Sequence, residues 1–309
     1  LPTFCNAQLR SDYKSAPSLL LILDPVFVIS NGNTMNIRQI FALTSAFVCL
    51  QSVSFAAIIA SESFDYTADG YNAGLEGMNG GTGFSGAWKE FGSNANNGIF
   101  AGGLSVGRDA APAEAGNHAR AQLSTAGAGI GRNLSSTLGA DGSTVWMSYR
   151  LQNNNTGAGE AFAVVFTSLS ESRSVLAGAT ASTGGQSGTD GQFDLAYGPT
   201  GTINADYAPR DTANHFLVWR FDFGVGDNDT VTIFSDPTSG TDFSGAGSGQ
   251  ISGINAAFDG IAFTSTGATL QWDEIRIGTV LSDVTTVPEP SLGAILGLSL
   301  ISLFLRRRR

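Results

Sequence analysis

Val145-Trp146-Met147-Ser148-Tyr149-Arg150-Leu151 alternates in character residue by residue: Val145, Met147 and Tyr149 point one way, and Trp146, Ser148 and Arg150 the other. A period of two belongs to a β-strand with one face on a core. Comparable short runs recur through the chain. They include Ala57-Ile58-Ile59-Ala60, 99–106, Ala161-Phe162-Ala163-Val164-Val165-Phe166, 193–197, Phe216-Leu217-Val218-Trp219-Arg220-Phe221-Asp222-Phe223, Thr230-Val231-Thr232-Ile233-Phe234, Gly260-Ile261-Ala262-Phe263 and 270–277. Turn-forming clusters separate them: Asn79-Gly80-Gly81, Asn153-Asn154-Asn155, Gly184-Gly185, Gly226-Asp227-Asn228-Asp229 and Ser239-Gly240. No stretch beyond residue 57 has a convincing helical period before the tail, and no repeat of fixed length is visible. Many short strands without crossover helices predict an all-β protein, a two-sheet antiparallel sandwich or barrel.

The composition agrees. Forty glycines occur beside 20 phenylalanines in 309 residues, so the glycine serves tight turns in a chain that still has apolar side chains to bury. The net charge is −10. Phosphate backbones would be repelled, which excludes nucleic acid as a partner.

The two ends read as sorting signals. Met35-Asn36-Ile37-Arg38-Gln39 followed by an apolar stretch, 40–57, has the form of a secretory signal peptide over 35–56. Small residues at Ser54 and Ala56 place cleavage between Ala56 and Ala57. Residues 1–34 fit no leader and read as an over-extended start. At the other end, Val287-Pro288-Glu289-Pro290 precedes an apolar run, 291–305, and four arginines, Arg306, Arg307, Arg308 and Arg309. Arginines after an apolar helix keep that end cytoplasmic, so everything before the tail is expected outside. Both cysteines, Cys5 and Cys49, precede the cleavage point, which leaves no disulfide framework in the mature domain. Removing leader and tail takes away seven basic and three acidic residues, making the remainder more acidic still, with Lys89 its one lysine.

Motif, apolar run and basic cluster together resemble the bacterial PEP-CTERM sorting signal over 285–309. The resemblance implies export by signal peptidase, transient membrane anchorage through the tail alone, and processing by an exosortase. A second resemblance covers the region between. Glu62-Ser63-Phe64-Asp65-Tyr66, the stretch from Leu75 to Trp88, Trp219-Arg220-Phe221-Asp222-Phe223-Gly224 and Trp272-Asp273-Glu274-Ile275-Arg276-Ile277-Gly278 look like the opening and close of LamG-like (concanavalin A-like) domains. That implies a jelly-roll sandwich over 57–284 whose first and last strands pair, flanked by a signal helix and a transmembrane sorting helix.

Candidate chemistry is sparse. Glycosidases of this fold carry Glu-x-Asp-x-x-Glu along one strand, and no such run occurs. Neither Glu62 with Asp65 nor Asp273 with Glu274 has the spacing for two carboxylates flanking one bond. Adjacent strand residues face opposite ways, so Asp273 and Glu274 are expected to close a turn and pair with Arg276 or Arg220. His118 and His215 lie far apart and make no zinc pair. Asp227, Asn228 and Asp229 offer oxygen ligands on a tight loop, a candidate calcium site. Trp88, Trp146, Trp219 and Trp272 are expected in the core, or half-buried.

The function expected from these readings is a non-catalytic module of the extracellular polysaccharide matrix, not an enzyme, without a cofactor other than calcium. A carbohydrate-active enzyme on the same fold and a protein-binding adhesin are the alternatives.

Overall fold

In a computed structural model of the chain, the described residues are 57–286 except 73, 92–94, 114–115, 124–128, 155–160, 169–172, 180–191, 198–201, 210 and 267–268. The signal segment up to Ala56 and the tail with Val287, Pro288, Glu289, Pro290 and Arg306 to Arg309 lie outside them. Among the described residues no helix is long and apolar enough to cross a membrane.

Among the described residues fifteen strands form two antiparallel sheets. The first sheet runs β13 (Gly247–Ile254), β12 (Asp229–Ser235), β11 (Asn214–Asp222), β6 (Thr144–Asn153), β15 (Thr269–Gly278), β4 (Asn117–Leu123) and β3 (Ala95–Ala101). The first strand, β1 (Ile58–Glu62), also pairs with β15. It takes the Ile275–Gly278 end, whereas β4 takes Thr269–Trp272, so the two follow one another along a single edge. The expected meeting of first and last strands is therefore present. The second sheet runs β10 (Thr202–Pro209), β9 (Gln192–Tyr197), β8 (Arg173–Ala179), β7 (Ala161–Ser168), β14 (Phe258–Thr266), β5 (Gly129–Leu138) and β2 (Phe84–Phe91). A single helical turn, α1 (Leu281–Val284), is the one helix among the described residues.

The alternation that predicted the strands decides what lies between the sheets. Val145, Met147, Tyr149 and Leu151 of β6 and Leu217, Trp219 and Phe221 of β11 are buried in one core. Phe258, Ile261 and Phe263 of β14 meet them from the other sheet. Trp272 stacks on Phe263 at 4.3 Å between ring centres, and Phe166 meets Trp219 edge-on at 4.7 Å. Trp88, Trp219 and Trp272 are fully buried, as expected. Trp146 sits on the outer face against Phe243 and beneath Arg220.

The outer face of β6 and β11 is covered too. Phe216 and Val218 pack with Ala110, Ala111, Val284, Leu281 and Phe243, a second small core made by the loop after β3, the loop after β12 and α1. The run expected as a strand over 99–106 thus pairs only to Ala101. Beyond it the chain leaves the sheet, and the Leu104 N–H donates to Asp273 Oδ2 at 3.0 Å.

Asp273 and Glu274 depart from the sequence reading, which put them at a turn on opposite faces. They lie mid-strand in a bulge: Asp273 pairs with Arg150 and Arg276 with Ser148, leaving two residues of β15 opposite Tyr149 alone. Glu274 takes a left-handed φ of 51°, and both carboxylates are buried. Alternation fails where a bulge inserts a residue, and composition does not announce one. Glu274 does reach Arg276 (3.4 Å), but the cation nearest Asp273 is Arg150 at 4.0 Å.

Candidate functional site

The outer face of the second sheet carries a groove of about 470 Å³ across β2, β5 and β14. Pairing sets three rows of residues across it. Phe91 lies opposite Gly129 and Gly129 opposite Thr264; Lys89 opposite Gly131 and Gly131 opposite Ala262; Ser85 opposite Asn133 and Asn133 opposite Gly260. The floor is therefore Gly131, Gly260 and Ala262, with nothing larger than a methyl group, and Gly129 lies beneath the Phe91 ring at one end. Around it stand Ser85, Lys89, Phe91, Asn133 and Thr264.

The glycines are placed by packing. A Cβ on Gly129 would fall 2.3 Å from the Phe91 ring, so the ring lies across that glycine and still has 40% of its surface exposed. A Cβ on Gly131 would crowd Ala262 at 3.0 Å. Glycine inside a strand weakens it, and a run of such positions on an exposed face marks a place of close approach. Behind the floor, Ile130, Arg132 and Leu134 alternate with Gly131 and Asn133 and are buried. Glu90 turns to that side of β2, where Asn97 donates to it; burial, and then Glu76, raise its carboxyl above the usual range.

This groove was missed in the sequence because its signal is small. Gly129-Ile130-Gly131-Arg132-Asn133 alternates glycine with larger residues, a strand pattern with an empty outer face, and no apolar run marks it. Lys89 was noted only as the lone lysine.

The predicted site residues do not converge. Asp229 is buried with both oxygens occupied, Oδ1 accepting from Gly224 N–H (2.8 Å) and Oδ2 from Ala256 N–H (2.7 Å). Asp227 accepts from the Asn255 amide at 2.8 Å. The segment Asp227-Asn228-Asp229 pins a turn, and among the described residues no three acidic, histidine or cysteine side chains gather as metal ligands. Glu62 closes an internal network with Arg132, Tyr66 and Trp88. His118 and His215 stand on different strands, β4 and β11.

His215 bridges Asp236 (Nδ1, 2.7 Å) and Asp211 (Nε2, 2.9 Å). Burial, the largest influence, opposes its positive charge. The hydrogen bonds and charges of Asp236 and Asp211 together outweigh it, so its pKa is raised. Burial also lifts Asp273 to about 7, against the opposing hydrogen bond from Leu104. Both groups bind protons more tightly folded than unfolded, so both contribute stability that is lost as pH rises. For Asp273 the loss runs from about 4 to about 7; for His215 it runs from about 6.5 upward through its raised pKa. Denaturant unfolding should therefore show stability falling from about pH 4 to about pH 7 and on through the raised His215 pKa, with the upper part of the fall removed in His215→Gln. A flat profile would contradict these assignments.

Comparison with protein-family models and with curated proteins gives no match. Among solved structures, the chain is similar to a protein of unknown function from Shewanella oneidensis (11% identity, 81% of this chain and 96% of that one, TM-score 0.44). It is also similar to an alginate lyase from Aplysia kurodai (10% identity, 54% and 84%, TM-score 0.40) and to a glycosyl hydrolase family protein from Mycobacterium fortuitum (14% identity, 72% and 99%, TM-score 0.40). These likenesses concern the sandwich architecture alone. The expectation that the domain is not an enzyme is corrected: the solved structures to which the chain is similar include lyases and a glycosyl hydrolase family protein. That expectation rested on a missing Glu-x-Asp-x-x-Glu run, on two histidines far apart in sequence and on the lack of cysteine in the mature domain. The absence of that run excludes one arrangement of paired carboxylates and leaves general acid–base chemistry by other side chains open.

Proposed function

We propose that this is a carbohydrate-active domain whose saccharide lies along the glycine-floored groove. The observation that carries the reading is the groove itself. A bare sheet floor admits the flat face of a sugar ring, Phe91 offers an exposed aromatic surface, and Lys89, Asn133, Ser85 and Thr264 supply polar contacts around it. An apolar platform with a few polar groups is the usual composition of a ligand cleft. Titration of the purified full chain against a panel of neutral and acidic oligosaccharides tests this, with turnover followed both as new reducing ends and as unsaturated products. Phe91→Ala and Asn133→Ala should each weaken binding about tenfold, or about 1.4 kcal/mol. Unchanged affinity in both variants, or no saccharide bound at all, would reject the groove.

For the chain as a whole, the terminal motifs support export, with signal peptidase acting between Ala56 and Ala57 and an exosortase acting at Val287-Pro288-Glu289-Pro290. The two prolines keep the backbone extended, as a protease needs. The mature protein then belongs at the cell surface or in the extracellular matrix, where polysaccharide is at hand. Intact mass of protein from its native host should lack Arg306 to Arg309, and replacing Pro288 and Pro290 by alanine should leave the precursor in the membrane. A mature form retaining the arginines would reject processing.

A further inference from the structure

Arg120 differs from the other strand arginines whose side chains are described. Arg132, Arg150, Arg220 and Arg276 each have a carboxylate partner. Arg120 has none among the described residues, and its buried Nε lacks a hydrogen-bond partner. In an acidic chain a guanidinium finds such a partner readily, so its absence is informative.

Aromatic rings hold Arg120 in place. Its Cζ lies 5.1 Å from the centre of the Phe100 ring and 5.6 Å from that of Tyr71. Tyr71 meets Phe100 edge-on at 5.0 Å and is 40% exposed. This position depends on Gly98. The Gly70 N–H donates to the Ile99 carbonyl at 2.9 Å, and a Cβ on Gly98 would fall 2.0 Å from the Gly70 oxygen. The missing side chain lets the Asp69–Asn72 turn lie directly on β3 and present Tyr71 beside Arg120.

Two further groups share the patch. His118, two residues before Arg120 on β4, stacks on Phe100 at 5.9 Å. Its Nδ1 donates to the Gly102 carbonyl at 2.5 Å, which leaves Nε2 as an acceptor in the neutral ring. Gln271 lies opposite Arg120 in the strand pairing. Its amide donates to Gln152 Oε1, and Gln152 donates to the Thr212 carbonyl at 3.2 Å. That chain of donors fixes Gln271 and leaves its own oxygen to accept.

We propose that this outer patch of the first sheet, Tyr71, Phe100, His118, Arg120 and Gln271, is a second saccharide site, selective for a sugar bearing a carboxylate. The guanidinium fork matches a carboxylate in geometry and charge. Tyr71 offers a ring for the sugar face, and His118 Nε2 and Gln271 Oε1 accept from its hydroxyls. The site rests on the reading that the domain meets carbohydrate, but it shares no residue with the groove.

A matched pair of probes separates the two. Cellotetraose and β-1,4-linked tetraglucuronate differ at C6, hydroxymethyl in one and carboxylate in the other. The full chain should bind tetraglucuronate at least tenfold more tightly at low salt. Arg120→Ala should remove that preference and Arg120→Lys restore only part of it, since a point charge lacks the fork. Tyr71→Ala, on an exposed turn, should weaken tetraglucuronate about tenfold without unfolding the sandwich, as judged by unchanged tryptophan fluorescence. Arg220→Ala makes the same charge change at an arginine already paired with Asp222, and should keep the preference. No preference in the unaltered chain would overturn the proposal. So would a preference surviving both Arg120→Ala and Tyr71→Ala, or one that Lys89→Ala abolishes while Arg120→Ala is silent. Phe91→Ala reports on the groove and Arg120→Ala on this patch, so the two readings fail separately.

Discussion

Replacing Trp219 by alanine should destabilise the domain by about 3–5 kcal/mol, the range for removing a buried aromatic from a packed core. Trp219 is fully buried at the middle of β11, stacked on Phe221 at 5.8 Å and met edge-on by Phe166 from the opposite sheet at 4.7 Å. Phe166 also touches Phe221 and Phe258, so one indole supports a cluster drawn from both sheets. The large cost follows because these partners lie on paired strands and cannot collapse into the space left. Equilibrium unfolding in denaturant measures it, and near-ultraviolet circular dichroism should lose intensity in proportion to the ordered aromatics. A change below about 1 kcal/mol would mean that the ring is not core in solution.

The strands that alternate most cleanly were the most legible. β6, β11 and β12 could be read directly, because one face is uniformly apolar and the pattern repeats over several residues, whereas β15 loses its alternation at the Asp273–Glu274 bulge. No such run marks β2, β4, β5, β8, β10 or β13, with sequences such as Asn-His-Ala-Arg-Ala-Gln-Leu and Gly-Ser-Gly-Gln-Ile-Ser-Gly-Ile. Their apolar residues are set singly among glycines and polar residues: Trp88 of β2, Ile130 and Leu134 of β5 and Ile251 and Ile254 of β13 are buried, but no alternating run announces them. Both candidate sites draw on these strands, the groove on β2 and β5 and the second patch on β4. The groove requires glycines with an empty outer face, and the second patch requires Ala119 and Ala121 inside so that His118 and Arg120 face outward. The apolar residues beneath the groove, Ile130, Leu134, Ile261 and Phe263, mark strands, but a bare outer face depends on the register of neighbouring strands, which composition does not carry. Glu62 illustrates the converse. It was seen as part of a recurring opening motif, but its partner Arg132 lies 70 residues away, and only the fold brings them together.

That pair supports the other large effect. Glu62→Ala should cost about 3–5 kcal/mol, as removal of one member leaves a buried charge without compensation. Both side chains are 2% exposed, with Arg132 Nη1 2.7 Å from Glu62 Oε2. Arg132 also donates to the carbonyls of Gly80 and Gly86 and to Asn79, and its Cζ lies 4.6 Å from the centre of the Phe84 ring, so it cannot turn to solvent. Glu62 accepts in addition from Tyr66 (2.8 Å), whose hydroxyl is pushed up to about 12 by burial and then by that carboxylate, and from the Phe64 N–H (3.1 Å). Phe64 has a left-handed φ of 53°, a conformation costing about 1–3 kcal/mol that this network supports. The contribution belongs to the pair, so the double variant Glu62→Leu with Arg132→Met should be more stable than either single change, and the difference in a double-mutant cycle gives the coupling. Additive single effects would show that the pair is not coupled. Function is linked to the same pair, since Arg132 stands between Gly131 and Asn133 on β5 and ties the groove floor from behind to β1 and the loop before β2. Glu62→Ala should therefore weaken saccharide binding as well as stability, whereas the double apolar variant should recover stability first and binding only as far as the Gly131–Asn133 backbone regains its place.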